Sequence, residues 1–355
     1  MKILIAAGGT GGHVFPGLAV AETFVAGGAD REALFVGTEA GLESKVIPEK
    51  GFRLIYISAY QFRGQSILHK LGTLLRLLRG VGSAMSILCK EKPDAVLGMG
   101  GFTSVPVVLA ASLLRVPAFI HEQNVEPGLA NKMLSRYVKA TFISFEGSRQ
   151  YLKGKTIYHS GNPLRRSLGP SGKRKKDGTF GVFIFGGSRG ARRVNESIMT
   201  LLPFMEGYTN VAMYHQTGFD DFGWVREGYE KSGVRHEVFP FTESMEKYYN
   251  MSDVVISRAG ATTIFELAYF RKPAILIPYP FSAGQHQWKN ASYVESVGGG
   301  HLIGDDEATG DRIHGVLKRL VDDPVLLREM GENIGRLYVE DAGERIIKGM
   351  IDGIS

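Results

Sequence analysis

Almost from end to end, short apolar, β-branched runs alternate with stretches of helical periodicity, and this alternation constrains the fold more than any other feature of the chain. Continuous apolar strands are buried on both faces and need crossover helices to cover them, so the pattern predicts parallel sheets wrapped by helices. Strands are predicted at residues 2–7, 33–37, 53–58, 94–99, 117–121, 140–145 and 156–159, and again at 180–185, 211–215, 236–239, 254–257, 274–278 and 301–303. The two series open alike. One first strand runs into Gly8-Gly9-Thr10-Gly11-Gly12 and a helical pattern, the other into Gly186-Gly187-Ser188-Arg189-Gly190 and another. Between them lie Gly161-Asn162-Pro163-Leu164-Arg165-Arg166 and a polar run, 170–178, that reads as a linker. The 355 residues are about two domains' worth. The expected division is a domain over 1–163, a second over 164–340, and a terminal helix, 341–355, packing back on the first.

Hydrophobic residues at 44% and charged residues at 22% supply two cores and exclude a disordered chain. The 46 glycines, nearly double average usage, cluster at strand ends, where bare backbone can approach a ligand. The single cysteine, Cys89, rules out an internal disulfide or cysteine metal cluster and suits a reducing compartment. The apolar run 3–7 turns into glycines too early for a secretory leader. The longest apolar stretch, 105–114, contains Pro106 and ends at Arg115, short of a bilayer span. A net charge of +6 points to an anionic partner such as a phosphorylated ligand or acidic lipid. Nucleic acid is not expected, because the basic run Lys173-Arg174-Lys175-Lys176 lacks interleaved aromatics and sits in the linker.

Three loops, 8–12, 98–101 and 186–190, place glycines between a strand and a helix, where free amides and the helix dipole bind phosphate. A dinucleotide fingerprint is absent: Val14 and Thr103 stand where the third glycine belongs, and the second strand ends in Gly37-Thr38 without an acid. No Walker motif, no D-x-D pair and no histidines spaced i, i+4 occur, so neither cofactor nor metal is expected. His13, at a helix start beside the first loop, is placed to accept a proton from a nucleophilic hydroxyl, or else to hold the loop's shape. His121-Glu122-Gln123-Asn124 closes a strand where an open sheet exposes its ligand crevice; Glu122 can act there as a base or orient a neighbouring loop. Ser257-Arg258-Ala259-Gly260-Ala261-Thr262-Thr263 precedes a helix with Glu266 expected in its first turn. That carboxylate can accept from both ribose hydroxyls or merely complement the helix dipole. The amides of Gln285, Gln287 and Asn290 suit a polyhydroxylated ligand.

These segments, in order and over nearly the whole chain, resemble the N-acetylglucosamine transferases of peptidoglycan synthesis, the MurG family. The match lies in Gly8–Pro16, Gly98–Phe102, His121–Asn124, Gly161–Arg165, Gly186–Ser188, Ser257–Ala261, His286-Gln287 and Asn290-Ala291. The resemblance implies an α/β fold of two Rossmann-like, doubly wound parallel-sheet domains facing a cleft (GT-B). It implies transfer of N-acetylglucosamine from UDP-N-acetylglucosamine to the muramoyl 4-hydroxyl of undecaprenyl-pyrophosphoryl-muramoyl-pentapeptide, with inversion and without a covalent intermediate. Donor contacts are implied for Ser188 at the diphosphate, Thr242, Ala261, Thr262, Thr263 and Glu266 around the nucleoside, and Gln287 on the sugar. Thr10, Gly11, Gly12, Asn124 and Arg165 would complete that site, while Gly100, Gly101 and Phe102 would meet the acceptor. His13 is the first candidate base and Glu122 the second. Arg189, Thr242 and Thr262 depart from the family's usual residues and leave the exact nucleoside contacts open. A UDP-sugar 2-epimerase, or another GT-B transferase acting on lipid, is the competing reading.

A polyprenyl-tethered acceptor implies a peripheral enzyme on the cytoplasmic face of the plasma membrane; protein partners are left unspecified. In residues 66–90, Leu71, Leu74, Leu75 and Leu78 recur at helical spacing among His69, Lys70, Arg76 and Arg79. This stripe either docks on an anionic membrane surface or faces the core.

Overall fold

The structure, a computed structural model, describes residues 1–57, 67–166, 168–169, 178–187 and 190–354, with 67–76 described by backbone alone. All thirteen predicted strands form. The first series is β1 (Lys2–Ala6), β2 (Glu32–Gly37), β3 (Arg53–Tyr56), β4 (Ala95–Gly98), β5 (Ala118–Glu122), β6 (Ala140–Ile143) and β7 (Ile157–His159). These make one parallel sheet in the order β3-β2-β1-β4-β5-β6-β7. The second series is β8 (Phe180–Phe185), β9 (Val211–Gln216), β10 (Arg235–Phe239), β11 (Val254–Ser257), β12 (Ala274–Leu276) and β13 (Gly300–Leu302). Its sheet is also parallel, in the order β10-β9-β8-β11-β12-β13.

The chain divides into two compact units, Met1–Arg166 with Val339–Ser355, and Ser167–Tyr338. In the first, alternate residues of β1 serve opposite layers, as the two-residue period of a strand requires. Ile3 and Ile5 pack with Val14 and Leu18 of helix Gly11–Ala26 and with Ile346 and Met350 of helix Ala342–Ile354. Leu4 and Ala6 face Leu88, Val105 and Val108 on the other side. The closing helix comes so near β6 that a Cβ at Gly349 would stand 2.6 Å from the Phe142 ring. In the second unit, Val182 and Ile184 of β8 pack on Val194, Ile198, Ile313 and Leu317. Its Phe183 and Phe185 face the other way, within 5.5 and 6.1 Å of the Tyr249 ring. Each such side chain contributes roughly 1.5–3 kcal/mol by burial.

Helix Ile67–Glu91 runs unbroken through Gly72 and Gly80. Its Ala84 and Leu88 are buried and Leu77 packs against that core, whereas Leu78 is 58% exposed. The side chains of His69, Lys70, Leu71, Leu74, Leu75 and Arg76 lie outside the described residues, as does the basic run 173–176. Among the described residues no helix is long and apolar enough to cross a membrane.

Both sheets reverse their strand order at the first strand: β1 sits between β2 and β4, and β8 between β9 and β11. A crevice opens at the carboxyl ends of strands at such a reversal, because successive helices there cover opposite faces. The loops at those ends are 7–10 with 99–100, and 186–191 with 258–260.

Candidate active site

In the first unit the loop after β1 leads into helix Gly11–Ala26. Thr10 caps it with its carbonyl alone, accepting from His13 and Val14 N–H at 3.1 and 3.2 Å, and its hydroxyl makes no cap bond. The start of the helix thus offers amides and the positive end of its dipole to an anion. His13, the third helical residue, is half-buried, and its Nδ1 lies 3.0 Å from Gln123 Oε1. Gly100 and Gly101 cover the imidazole with bare backbone at φ +97° and +72°. A Cβ at Gly100 would stand 3.0 Å from His13 Cε1, and one at Gly101 3.4 Å from Cδ2. Phe102 follows, half-buried, beside Gly9.

Glu122, 2% exposed, ends β5 with both carboxylate oxygens engaged. Oε1 accepts from Asn124 N at 2.9 Å and Asn124 Nδ2 at 3.1 Å; Oε2 accepts from Gly128 N at 3.1 Å and Asn131 Nδ2 at 2.9 Å. The carboxylate therefore holds the 124–131 loop in place. Arg165 lies with its guanidinium 5.0 Å from the Phe15 ring centroid, and that ring packs against Gly11. Sequence reasoning missed Glu43. Fully buried, it accepts from Gly9 N at 3.0 Å and from Thr38 N and Oγ1 at 2.8 Å each, tying the glycine loop to the end of β2. Contacts across 34 residues leave no local signature. His121 is neutral at pH 7, since burial lowers its pKa to about 4.

In the second unit the loop after β8 meets helix Arg192–Leu201; Ser188 and Arg189 lie outside the described residues. Gly190 has φ +77°, and any side chain there would collide with the Thr217 carbonyl. Gln216, a second residue that sequence reasoning missed, ends β9. It donates through Nε2 to Gly187 O at 3.2 Å and accepts at Oε1 from Thr242 N at 3.2 Å, so it links two of the loops around the crevice. Beneath it, His215 is held neutral, burial having lowered its pKa to about 3, with Nε2 3.0 Å from Asn195 Oδ1.

Glu266 requires a correction. Gly260, extended at ψ 143°, is the cap of helix Ala261–Tyr269, so Glu266 is the sixth helical residue and stands in the second turn. The dipole falls off within the first turn, so the carboxylate is not placed there to complement it. Glu266 is 4% exposed and accepts from Tyr249 OH at 2.9 Å. Ala261 is buried, Thr262 and Thr263 are half-buried at the helix start, and the Thr262 hydroxyl has no partner among the described residues. Arg258 is a clamp, donating to the carbonyls of Ile277 and Pro278 and to Asp305. Gln287 accepts at Oε1 from Tyr279 N at 2.9 Å, which aims its amide at the loop following β12.

Two family models cover most of the chain: the glycosyltransferase family 28 N-terminal domain matches residues 3–143 and the family 28 C-terminal domain matches residues 181–346. The UDP-N-acetylglucosamine–N-acetylmuramyl-(pentapeptide) pyrophosphoryl-undecaprenol N-acetylglucosamine transferase of Geotalea uraniireducens is 42% identical over 99% of this chain and 98% of its own. The crystal structure of Acinetobacter baumannii MurG superposes with a TM-score of 0.83 at 27% identity, covering 99% of both chains. A Neisseria meningitidis UDP-GlcNAc 2-epimerase, solved with UDP-GlcNAc bound, shares the fold alone, at a TM-score of 0.68 and 15% identity over 99% of this chain and all of its own. On the strength of both domain models and the full-length relative, the chain belongs to glycosyltransferase family 28.

Proposed function

We propose that the protein transfers N-acetylglucosamine from UDP-N-acetylglucosamine to the muramoyl 4-hydroxyl of undecaprenyl-pyrophosphoryl-muramoyl-pentapeptide, converting lipid I to lipid II. The observation that carries this reading is likeness at about 40% identity along the full length to transferases bearing that name. The shared fold does not decide between transferase and epimerase; the sequence likeness favours the transferase.

In the reaction, the acceptor O4 forms a bond to the sugar C1 while the bond from C1 to the β-phosphate oxygen breaks. The electron pair leaves with UDP, and the O4 proton goes to a base. His13 is that base in our reading, because Glu122 has both oxygens committed to the 124–131 loop. Glu122 then acts by placing Asn124. Gly100, Gly101 and Phe102 would line the acceptor's path to His13; the close approach of bare backbone to the imidazole, where a Cβ would stand 3.0 and 3.4 Å from the ring, supports a shared site.

In the second unit, the loop after β8 with Ser188 would meet the diphosphate, and the dipole of helix Arg192–Leu201 would stabilise the leaving charge without reorganising. Glu266, steadied by Tyr249, would accept from the ribose; Thr242, Ala261, Thr262 and Thr263 would surround the nucleoside; Gln287 would donate to the sugar. Thr10, Gly11, Gly12, Asn124 and Arg165 would add donor contacts from the first unit. The finer setting is a peripheral enzyme at the cytoplasmic face of the plasma membrane, docked on anionic lipid through the outer face of helix Ile67–Glu91, where Leu78 and Arg79 are exposed. Incubation with UDP-N-acetylglucosamine and a water-soluble, short-chain acceptor should give one UDP per disaccharide, and NMR should show a β linkage. Absence of a disaccharide, or an α linkage, would overturn the proposal.

A further inference from the structure

A row of hydrogen bonds orders the protons of the first unit's crevice. It begins at a group that can only accept, the Gly161 carbonyl, 3.1 Å from His121 Nε2. His121 is fully buried and neutral, so its one ring proton sits on Nε2 and its Nδ1 presents a lone pair. Gln123 comes next. One end of its amide lies 2.9 Å from that Nδ1 and 2.9 Å from the Met99 carbonyl oxygen. Both are acceptors, so this end must be the NH2 group, and the end facing His13 Nδ1 at 3.0 Å is the oxygen. An amide oxygen only accepts, and His13 Nδ1 therefore carries a proton. With Nδ1 protonated, the atom left to accept a proton is Nε2, which has no hydrogen-bond partner among the described residues.

We propose that His121 and Gln123 are positioning residues that lock His13 in its Nδ1–H tautomer, so that Nε2 is the atom that takes the acceptor proton. The inference rests on the reading of His13 as the base. When the O4–H bond breaks, its proton joins Nε2 and the ring becomes an imidazolium with Nδ1–H still held by Gln123; the proton then leaves to solvent. A neutral amide suits this task. It fixes ring orientation as a carboxylate would, but brings no negative charge that would favour a proton already on the ring before substrate arrives.

Nitrogen NMR of 15N-histidine-labelled protein tests the assignment directly, with His13 assigned by comparison with His13→Ala. Wild type should show a protonated Nδ1 and an unprotonated Nε2 at His13. Gln123→Met should move His13 to the other tautomer or to a mixture. It should lower kcat at least tenfold, towards the roughly 10⁴-fold cost of a wrongly protonated imidazole, with the KM for UDP-N-acetylglucosamine within about twofold. Gln123→Glu, which can still accept from Nδ1–H but adds the negative charge, should restore a protonated Nδ1 and recover kcat only as the pH is raised, whereas wild type needs no such rise. A protonated Nε2 in wild type would overturn the proposal even if no variant folded, as would Gln123→Met with tautomer and kcat both unchanged. Normal turnover by His13→Ala, with the Nδ1–H tautomer present in wild type, would instead remove the base assignment on which the proposal rests.

Discussion

Replacing Glu122 by glutamine separates a loop-holding carboxylate from a general base, because the two roles predict different losses. Each oxygen of Glu122 accepts from two N–H donors, at 2.9 and 3.1 Å on either side. Glutamine keeps one such oxygen and turns the other into NH2, so whichever way it flips one pair of donors faces another donor. A buried donor left unsatisfied costs about 1–3 kcal/mol. Asn131 Nδ2 retains the His121 carbonyl at 3.0 Å, which softens one of the two losses if that side is chosen. The sum is roughly 2–4 kcal/mol, a large share of ordinary domain stability. For a unit of this size each kcal/mol moves Tm by about 2–4 °C, so Glu122→Gln should melt roughly 4–16 °C below wild type by circular dichroism. Turnover measured well below that Tm should fall together with affinity for the donor, since the loop that carries Asn124 loses one of its two anchored ends. A variant melting within about 1 °C of wild type, with kcat alone reduced by about 10²–10⁴, would refute the reasoning and return Glu122 to the role of base.

Other outcomes are equally open to measurement. Glu266→Gln keeps an oxygen for Tyr249 OH but loses the charge, worth about 1–2 kcal/mol to a ribose hydroxyl, so UDP affinity by calorimetry should drop roughly 5- to 30-fold; a change under about twofold would remove the ribose role. Burial holds His121 and His215 near pKa 4 and 3, below the 6.5 of an exposed ring, so the unfolded chain binds more protons below pH 6.5. Stability present above pH 6.5 should therefore decline as pH falls towards 4 and then 3, and the drop in Tm should be smaller in His215→Asn than in wild type; equal drops would contradict it. Reversing Lys70, Arg76 and Arg79 to Glu removes about 1 kcal/mol of lipid attraction apiece and should abolish sedimentation with anionic vesicles at low salt. That triple variant should still act on a water-soluble acceptor, and persistent vesicle binding would place the docking surface elsewhere.

Which parts of this molecule were legible in its sequence follows from how local each determinant is. The strands were, because a parallel sheet buried on both faces demands continuous apolar runs such as residues 180–185, and those runs end where glycine or polar residues begin. The switch-point loops were legible for the same reason. The turn of the helix that carries Glu266 was not: it depends on Gly260 staying extended, a one-residue matter of capping that Ser257–Thr263 does not announce. Glu43 and Gln216 were hidden because they bond Gly9 and Gly187 from a helix start and a strand end, 34 and 29 residues away. Gln123 was visible only as one of four polar residues closing a strand; its part in the proton order depends on His121 being buried and neutral, which only the packed structure supplies.

Transfer of the sugar to a lipid-held acceptor is the reaction on which every residue role above depends. Wild-type enzyme incubated with UDP-N-acetylglucosamine labelled in the sugar, with and without lipid I in vesicles, tests it most directly. Label should enter the lipid fraction only when lipid I is present, with one UDP released for each label transferred. Release of free labelled sugar and UDP without acceptor, and none incorporated with it, would contradict transfer to lipid I and favour the epimerase reading.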